Sequence, residues 1–374
     1  MISQIVNLSN PKVFNHYKEK YNYQYSFSKG VYGIELRGIP ADINNIETKK
    51  NKKIFLKNRN IFFIGSMDEI ISSASEGELN EGIRSEITSV INRYNLSNET
   101  VYRIGEKTFD FNNSYVMGIL NVTPDSFSDA GIHFNQVDAV NYALSMLEDG
   151  ADIIDIGGES TRPGSESVDS DEELKRVLPV ISAIKEKYPQ AIISIDTTKA
   201  SVAKEAILKG ATIVNDISGG TFDPKMIKVV KASDAAIVTM HIKGRPKTMQ
   251  ENPQYAEVVS EVYDSLFHQT EIAKKLGINK IFIDPGIGFG KRIEHNLTLI
   301  ERLEDFKSLG YPILIGLSRK SFIGKILNLP VEERDSSTNV LNALAICHGA
   351  RVIRTHNVKQ AVETCKIINS IVRN

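Results

Sequence analysis

The sequence predicts an α/β fold, a (β/α)8 TIM barrel with a small N-terminal α/β extension. Three observations lead there. From residue 115 onward, short apolar, β-branched runs alternate with longer stretches of helical period; eight such pairs fit into about 260 residues; and nearly every apolar run ends in a polar or turn-forming group. In a closed parallel barrel those C-terminal ends converge on one face, where such folds place their active sites. In a doubly wound open sheet, the alternative architecture, only the ends near the switch point converge, and so many polar endings are harder to explain.

Residues 1–112 differ in texture. Tyr and Asn are dense in NHYKEKYNYQY (15–25), and the Lys/Asn run ETKKNKKIFLKNRN (47–60) reads as a solvated loop rather than a nucleic-acid patch. VYGIELRGI (31–39) has partial strand alternation, IFFIG (61–65) is an apolar strand, and 67–74 and 80–94 have helical period. The turn-rich FDFNNS (109–114) marks the boundary, leaving 1–112 as an extension of unknown role and 113–374 as the barrel domain.

The barrel strands read VMGILNV (116–122), ADIIDIGG (151–158), AIISID (191–196), ATIVNDIS (211–218), AAIVTMHI (235–242), KIFIDPGI (280–287), PILIGLS (312–318) and ARVIRTH (350–356). Helices are expected at about 136–149, 171–187, 199–209, 224–232, 254–276, 295–308, 337–348 and 358–372. Continuous apolar strands covered by helices mark a parallel sheet buried on both faces. YVMGILNVTPDSFSDAG (115–131) sets the pattern, breaking from apolar residues into Asn121, Thr123, Pro124, Asp125, Ser126 and Ser128. The later strands end in Asp155 with Gly157, Gly158 and Glu159, then Asp196, Asn215 with Asp216, His241, Asp284, Ser318 to Lys320, and Arg354 with His356.

Lys+Arg 45 against Asp+Glu 46 leaves a formal charge of −1, so no nucleic-acid or polybasic membrane partner is indicated and any anion site must be local. No apolar run approaches the ~20 residues that span a bilayer, and the start MISQIVNLSNPKVFNHYKEK lacks a signal or transit pattern. A cytoplasmic enzyme is expected. Cys347 and Cys365 lie in apolar, helix-like settings without metal-ligand spacing and read as reduced core residues.

GESTRPGSES (158–167) is either a surface loop or a mobile cover that brings Arg162 over an anionic substrate, with the first loop, near His133 and Phe134, as its companion lid. Asp196, just before Thr197 and Thr198, suits a helix cap or an interior carboxylate facing the mouth. Asn215 can present donor and acceptor to a heterocycle edge, while Asp216 serves structure. In IDPGIGFGK (283–291), Asp284 precedes three glycines that bring backbone close to a ligand, with Phe289 and Lys291 on the same loop. The spacing fits neither a dinucleotide fingerprint nor a P-loop. A carboxylate at the base of a pocket is suited to an amidine-like N–H pair, as in guanine or pterin rings. GLSRKSFIG sets Ser318, Arg319, Lys320 and Ser321 at a strand-to-helix junction that favours anions, or is a solvated basic turn. Arg354 and His356, two apart, share one side of an extended strand and form an anion clamp. No cluster has zinc spacing and no Ser-His-Asp order occurs, which argues against covalent acyl transfer.

Seven segments, NVTPDSFSDAG, GGESTRPGS, IDT (195–197), VNDIS, MHIKGRPKTMQ (240–250), DPGIGFGK and SRKSFIG, are similar in sequence and order to the signatures of the dihydropteroate synthase family of pterin-binding enzymes, across about 115–372. The resemblance implies a (β/α)8 barrel, usually homodimeric, that condenses 6-hydroxymethyl-7,8-dihydropterin diphosphate with 4-aminobenzoate in folate biosynthesis, releasing diphosphate. It implies a pterin pocket of Asp196, Asn215, Asp284 and Lys320, with Met240 on its wall and Arg354 stacked over the ring. Asn121, Arg354 and His356 would hold the diphosphate, with Mg2+ near Asn121. Thr161, Arg162 and Pro163, with Phe289, Lys320 and Ser321, would form the aminobenzoate site, where sulfonamides compete. Asp196, Lys320 and Arg354 are the residues expected to be catalytic. Loss of diphosphate leaves a cationic pterin methylene; fixed carboxylates stabilise that charge, and the weakly nucleophilic aryl amine captures it without a strong base.

Two rivals remain at this level. A related methyltransferase module presents methyltetrahydrofolate to a corrinoid, but no corrinoid-binding segment is visible. A non-catalytic homologue is opposed by intact Asn121, Arg162, Asp196, Lys320, Arg354 and His356. Asn357 stands where the family often has Asp after the R-x-H pair, and the extension lies outside the shared barrel.

Overall fold

The computed structural model describes residues 1–40, 53–75, 79–97, 100–123, 136–162 and 164–372. The chain divides into two units, Met1–Glu99 with Arg302–Tyr311, and Thr100–Glu301 with Pro312–Asn374.

In the first unit, β1 (Ile2–Asn7), β2 (Tyr32–Arg37), β3 (Ile54–Lys57) and β4 (Asn60–Gly65) form an antiparallel sheet in the order β1-β2-β4-β3. Strand alternation sends Ile61 and Phe63 to one apolar cluster and Phe62 and Ile64 to another, so both faces are buried. The helices are α1 (Pro11–Tyr21), α2 (Met67–Ser75) and α3 (Glu81–Leu96). α1 starts as its sequence dictates, with Pro11 in the first turn and the Asn10 side chain accepting from the Lys12 N–H at 2.8 Å. The basic run is a solvated loop only in part. Residues 54–57 are β3, joined to β4 through Asn58 and Arg59, both at positive φ as a two-residue hairpin turn demands. Residues 47–52 of that run lie outside the described residues.

The segment Arg302–Tyr311 follows a barrel helix in sequence yet packs as part of this first unit. Its core is a 3-10 helix, Leu303–Leu309, where a continuous helix to 308 was expected. Arg302 donates to the Tyr17 hydroxyl at 3.1 Å, the Asn7 N–H to Asp305 at 3.2 Å, and Arg93 to the Ser308 carbonyl at 3.0 Å.

The second unit opens with a hairpin, β5 (Val101–Ile104) and β6 (Lys107–Asp110), which lies before the boundary expected at 112. Tyr102, Phe109 and Phe111 of this segment pack against Met117, Ile153, Ile213, Phe282 and Val352, residues at or near the starts of the barrel strands. The hairpin therefore closes the N-terminal end of the barrel. Among the described residues eight parallel strands form that barrel: β7 (Tyr115–Asn121), β8 (Ile153–Gly157), β9 (Ile193–Asp196), β10 (Ile213–Asp216), β11 (Ala236–Met240), β12 (Ile281–Asp284), β13 (Ile313–Ile315) and β14 (Ala350–Thr355), with β14 pairing back to β7. The intervening helices are α4 (Gln136–Glu148), α5 (Ser170–Lys187), α6 (Ala200–Leu208), α7 (Met226–Ser233), α8 (Val258–Lys275), α9 (Ile293–Glu301), α10 (Ser321–Leu327), α11 (Asp335–Cys347) and α12 (Val358–Val372). Cys365 is buried and reduced, as expected; Cys347 is reduced but exposed, because it falls on the outer face at the end of α11.

Candidate active site

The strand register lines up the polar endings. Asn121 of β7 is opposite Gly157 of β8, Gly157 is opposite Asp196 of β9, and Asp196 is opposite Asn215 of β10. Two residues below Gly157, the fully buried Asp155 points into the same interior. Arg354 of β14 reaches both carboxylates: Nε donates to Asp155 Oδ2 at 2.6 Å and Nη2 to Asp196 Oδ2 at 2.7 Å. Asn215 Nδ2 donates to the same Asp155 oxygen at 3.0 Å. Asp155 Oδ1 is buried with no hydrogen-bond partner among the described residues.

Asp196 is thus an interior carboxylate, not a cap. The N-terminus of α6 has no side-chain cap of its own; the Ala200 N–H donates instead to Asp223 at 2.9 Å. Burial lifts the Asp196 carboxyl to about 7, against the pull of Arg354, with Asp155, Glu173 and Asp216 adding to the rise. Asp216 is structural, accepting from the Ser218 N–H and hydroxyl and the Gly220 N–H at 2.7–2.8 Å.

A second group stands on β11 to β13. Met240 and Asp284 are register partners and both buried. Asp284 accepts the Gly286 N–H at 2.7 Å; burial raises its carboxyl, while that bond, Lys320, Lys291 and Arg354 oppose the rise. Lys320 Nζ lies 4.2 Å from the centre of the Phe289 ring, and burial brings its ammonium down to about 8 despite Asp284. Lys291 is engaged within the protein. Its buried Nζ donates to the Gly286, Phe289 and His241 carbonyls at 2.8, 3.1 and 3.3 Å and lies 2.9 Å from His241 Nδ1, stapling the β12 loop to the β11 loop. Only glycine permits that approach. A Cβ on Gly286, at φ +70°, would sit 1.9 Å from the His241 carbonyl oxygen.

At the rim, Ser318 Oγ lies 2.9 Å from His356 Nδ1 and accepts the His356 backbone N–H at 3.1 Å. Burial, then Arg354, Arg319 and Arg162, depress the His356 imidazole to about 3, so it is neutral. Arg319 turns away into a two-pronged pair with Asp335 at 2.7 and 2.8 Å. Asn357 donates to Asp335 at 3.3 Å, which an aspartate there cannot do. Ser321 is exposed at the start of α10, which has no side-chain cap. Thr161 and the exposed Arg162 lie on the β8 loop, which is anchored by Lys199 bridging Glu159 and the buried Glu173, and by the Gly164 N–H donating to the Pro246 carbonyl at 3.1 Å. Pro163 and the first-loop residues from Pro124 through Phe134 lie outside the described residues.

The structure therefore bonds Arg354 directly to Asp196, links Asn215 to Arg354 through the shared Asp155 oxygen, and sets Lys320 over the Phe289 ring. For Asn121 it gives only the strand-end position. Asp155 stands among the polar strand endings in the sequence but was given no role in the site; β8 runs on to Gly157 and leaves it inside the strand, the lone carboxylate in the otherwise apolar IIDIG. Buried carboxylates, an amide, a lysine and the arginine that joins two of those carboxylates, with a neutral histidine at the rim, define a barrel enzyme whose groups suit a polar heterocycle and an anion.

Comparison with known proteins agrees. A family model described as pterin binding enzyme matches residues 117–356. The dihydropteroate synthase of Synechocystis sp. is 45% identical over 274 residues, covering 72% of this chain and 94% of the relative. Similar solved structures include the Yersinia pestis dihydropteroate synthase in a sulfonamide drug complex (TM-score 0.70, 39% identity, 74% of this chain and 100% of that one). Another is the Xanthomonas albilineans dihydropteroate synthase with 7,8-dihydropteroate (TM-score 0.66, 34% identity, 73% and 98%). The chain belongs to the pterin-binding enzyme family, and within it to the dihydropteroate synthases.

Proposed function

We propose that the chain condenses 6-hydroxymethyl-7,8-dihydropterin diphosphate with 4-aminobenzoate to give 7,8-dihydropteroate and diphosphate, using the residues joined through Arg354. The carrying observation is the fork itself: one guanidinium spans Asp155 and Asp196 at 2.6 and 2.7 Å in the barrel interior. Asp284 and Asn215 supply the acceptor and amide that a pterin edge requires, Met240 an apolar wall, and Lys320 a donor to the ring. As the C–O bond to diphosphate breaks, positive charge grows on the pterin methylene, which Asp196 and Asp284 stabilise as ionised carboxylates. Arg354 and His356 meet the leaving group. The aryl amine then forms the C–N bond and gives its proton to solvent. Thr161, Arg162, Phe289 and Ser321 line the aminobenzoate side, where sulfonamides compete.

Magnesium fits this site as a companion of the diphosphate. Asn121 offers one hard oxygen, no group of three His, Cys, Asp or Glu side chains among the described residues could cage a metal, and magnesium often takes few protein ligands alongside substrate phosphates. When bound, it would offset charge on the leaving group.

A second copy of the chain is the proposed partner. α11 and α12, bridged by Thr364 to Asn339 at 2.7 Å, expose Val340 with Leu344 and Ile367 with Ile371, two pairs one helical turn apart. A cytoplasmic location is part of the proposal; among the described residues no helix is long and apolar enough to cross a membrane. A crystal structure with the dihydropterin diphosphate tests the assignment. The ring is expected beside Met240 with its N–H edge on Asp284, and the diphosphate at Arg354 and His356; a ring seated outside the barrel mouth overturns it.

A further inference from the structure

The contacts of Ser318 bear on where the histidine proton sits. Ser318 is buried, and its hydroxyl has one proton and two acceptor positions. The His356 backbone N–H, at 3.1 Å, occupies one acceptor position. Among the described residues the proton then has two acceptors in reach, His356 Nδ1 at 2.9 Å and Thr355 Oγ1 at 3.5 Å. The nearer takes it, and the Thr355 hydroxyl donates into the second acceptor position of Ser318. All three sites on the Ser318 oxygen are then used. An Nδ1 that accepts carries no proton, so in the neutral ring the proton sits on Nε2.

We propose that Ser318 is a positioning residue that holds His356 as its Nε2–H tautomer, a neutral hydrogen-bond donor for the departing diphosphate. The tautomer follows from the contacts of Ser318; the diphosphate half rests on the proposed function. The consequence is chemical. In the opposite tautomer the ring would present an Nε2 lone pair to phosphate oxygen and repel it. Held by Ser318, the ring adds a donor beside Arg354 without adding another buried positive charge.

Nitrogen NMR of 15N-histidine-labelled protein without substrate tests the tautomer, with His356→Gln used only to assign the signals. The parent protein is expected to show a protonated Nε2 and an unprotonated Nδ1 at His356. Ser318→Ala should move both signals toward a tautomer mixture and raise KM for the dihydropterin diphosphate roughly 2- to 10-fold, the worth of about one hydrogen bond. Ser318→Thr, which keeps the hydroxyl, should restore both. A protonated Nδ1 in the parent protein overturns the inference even if Ser318→Ala fails to fold. So do His356 signals unmoved by Ser318→Ala. If the signals move and KM does not, the donor role toward diphosphate fails, and that part of the proposed function with it.

Discussion

Arg354 Nε donates to Asp155 Oδ2 at 2.6 Å, from β14 to a strand two places away, and that same oxygen accepts Asn215 Nδ2 at 3.0 Å. One carboxylate thus aims residues from two other strands. Removing one partner of a buried ion pair costs about 3–5 kcal/mol, and Asp196 still holds Arg354, so Asp155→Asn should fall at the low end. If the loss is felt in the transition state, kcat/KM drops roughly 100-fold. Chemical denaturation and initial rates check this; parent-like values for both would remove Asp155 from the site.

The pH profile has a defined sign. Asp196 must be ionised and lies at about 7, above the ordinary carboxylate range, so kcat/KM rises as pH rises through about 7. Lys320 must be charged and lies at about 8, so the rate falls as pH passes that value. His356, at about 3, adds no limb. The two limbs belong to the coupled cluster. The fold also binds the Asp196 proton more tightly than the unfolded chain does, so stability from this group is lost as pH climbs from the usual carboxylate range to about 7. Rates that stay flat from pH 6 to 9 contradict this reading.

Gly286→Ala forces a Cβ to within 1.9 Å of the His241 carbonyl oxygen at a φ of +70°. Backbone strain and overpacking each cost about 1–3 kcal/mol. Thermal melting should fall by several degrees, with weaker pterin binding as the Gly286 N–H leaves Asp284. An unchanged melt would show that the two loops are not packed as described.

Deleting residues 1–99 removes the partners of a segment that stays behind. Tyr17, Asn7 and Arg93, which bond Arg302, Asp305 and Ser308, would be gone, as would Tyr94, the partner of Glu304. The truncated chain should be less soluble and melt lower, because a buried Arg302–Asp305 pair and its neighbours lose their cover. A truncated protein with parent-like yield and melting would show the extension to be dispensable.

The barrel was legible because parallel strands buried on both faces read as apolar runs and their polar ends stand out. Asp196, Asn215, Asp284, Lys320 and Arg354 all carry that signal. Asp155 stands among those endings too, but its role was not legible, because only the closed barrel brings Arg354 to it. The chemical type of Asp196 left cap and interior open; Asp223 settled the matter from another loop. The hairpin at 101–110 is short and aromatic, like the extension, so its place beneath the barrel follows from packing alone. The 302–311 segment has helical period and gives no sign that its partners lie some 200 residues or more earlier.

The most direct measurement is diphosphate release by the purified chain, with Asp196→Ala alongside. Magnesium-dependent release that requires both dihydropterin diphosphate and 4-aminobenzoate, and that is lost in a folded Asp196→Ala variant, is the predicted result. Release that ignores 4-aminobenzoate, or full turnover by the variant, would contradict the account.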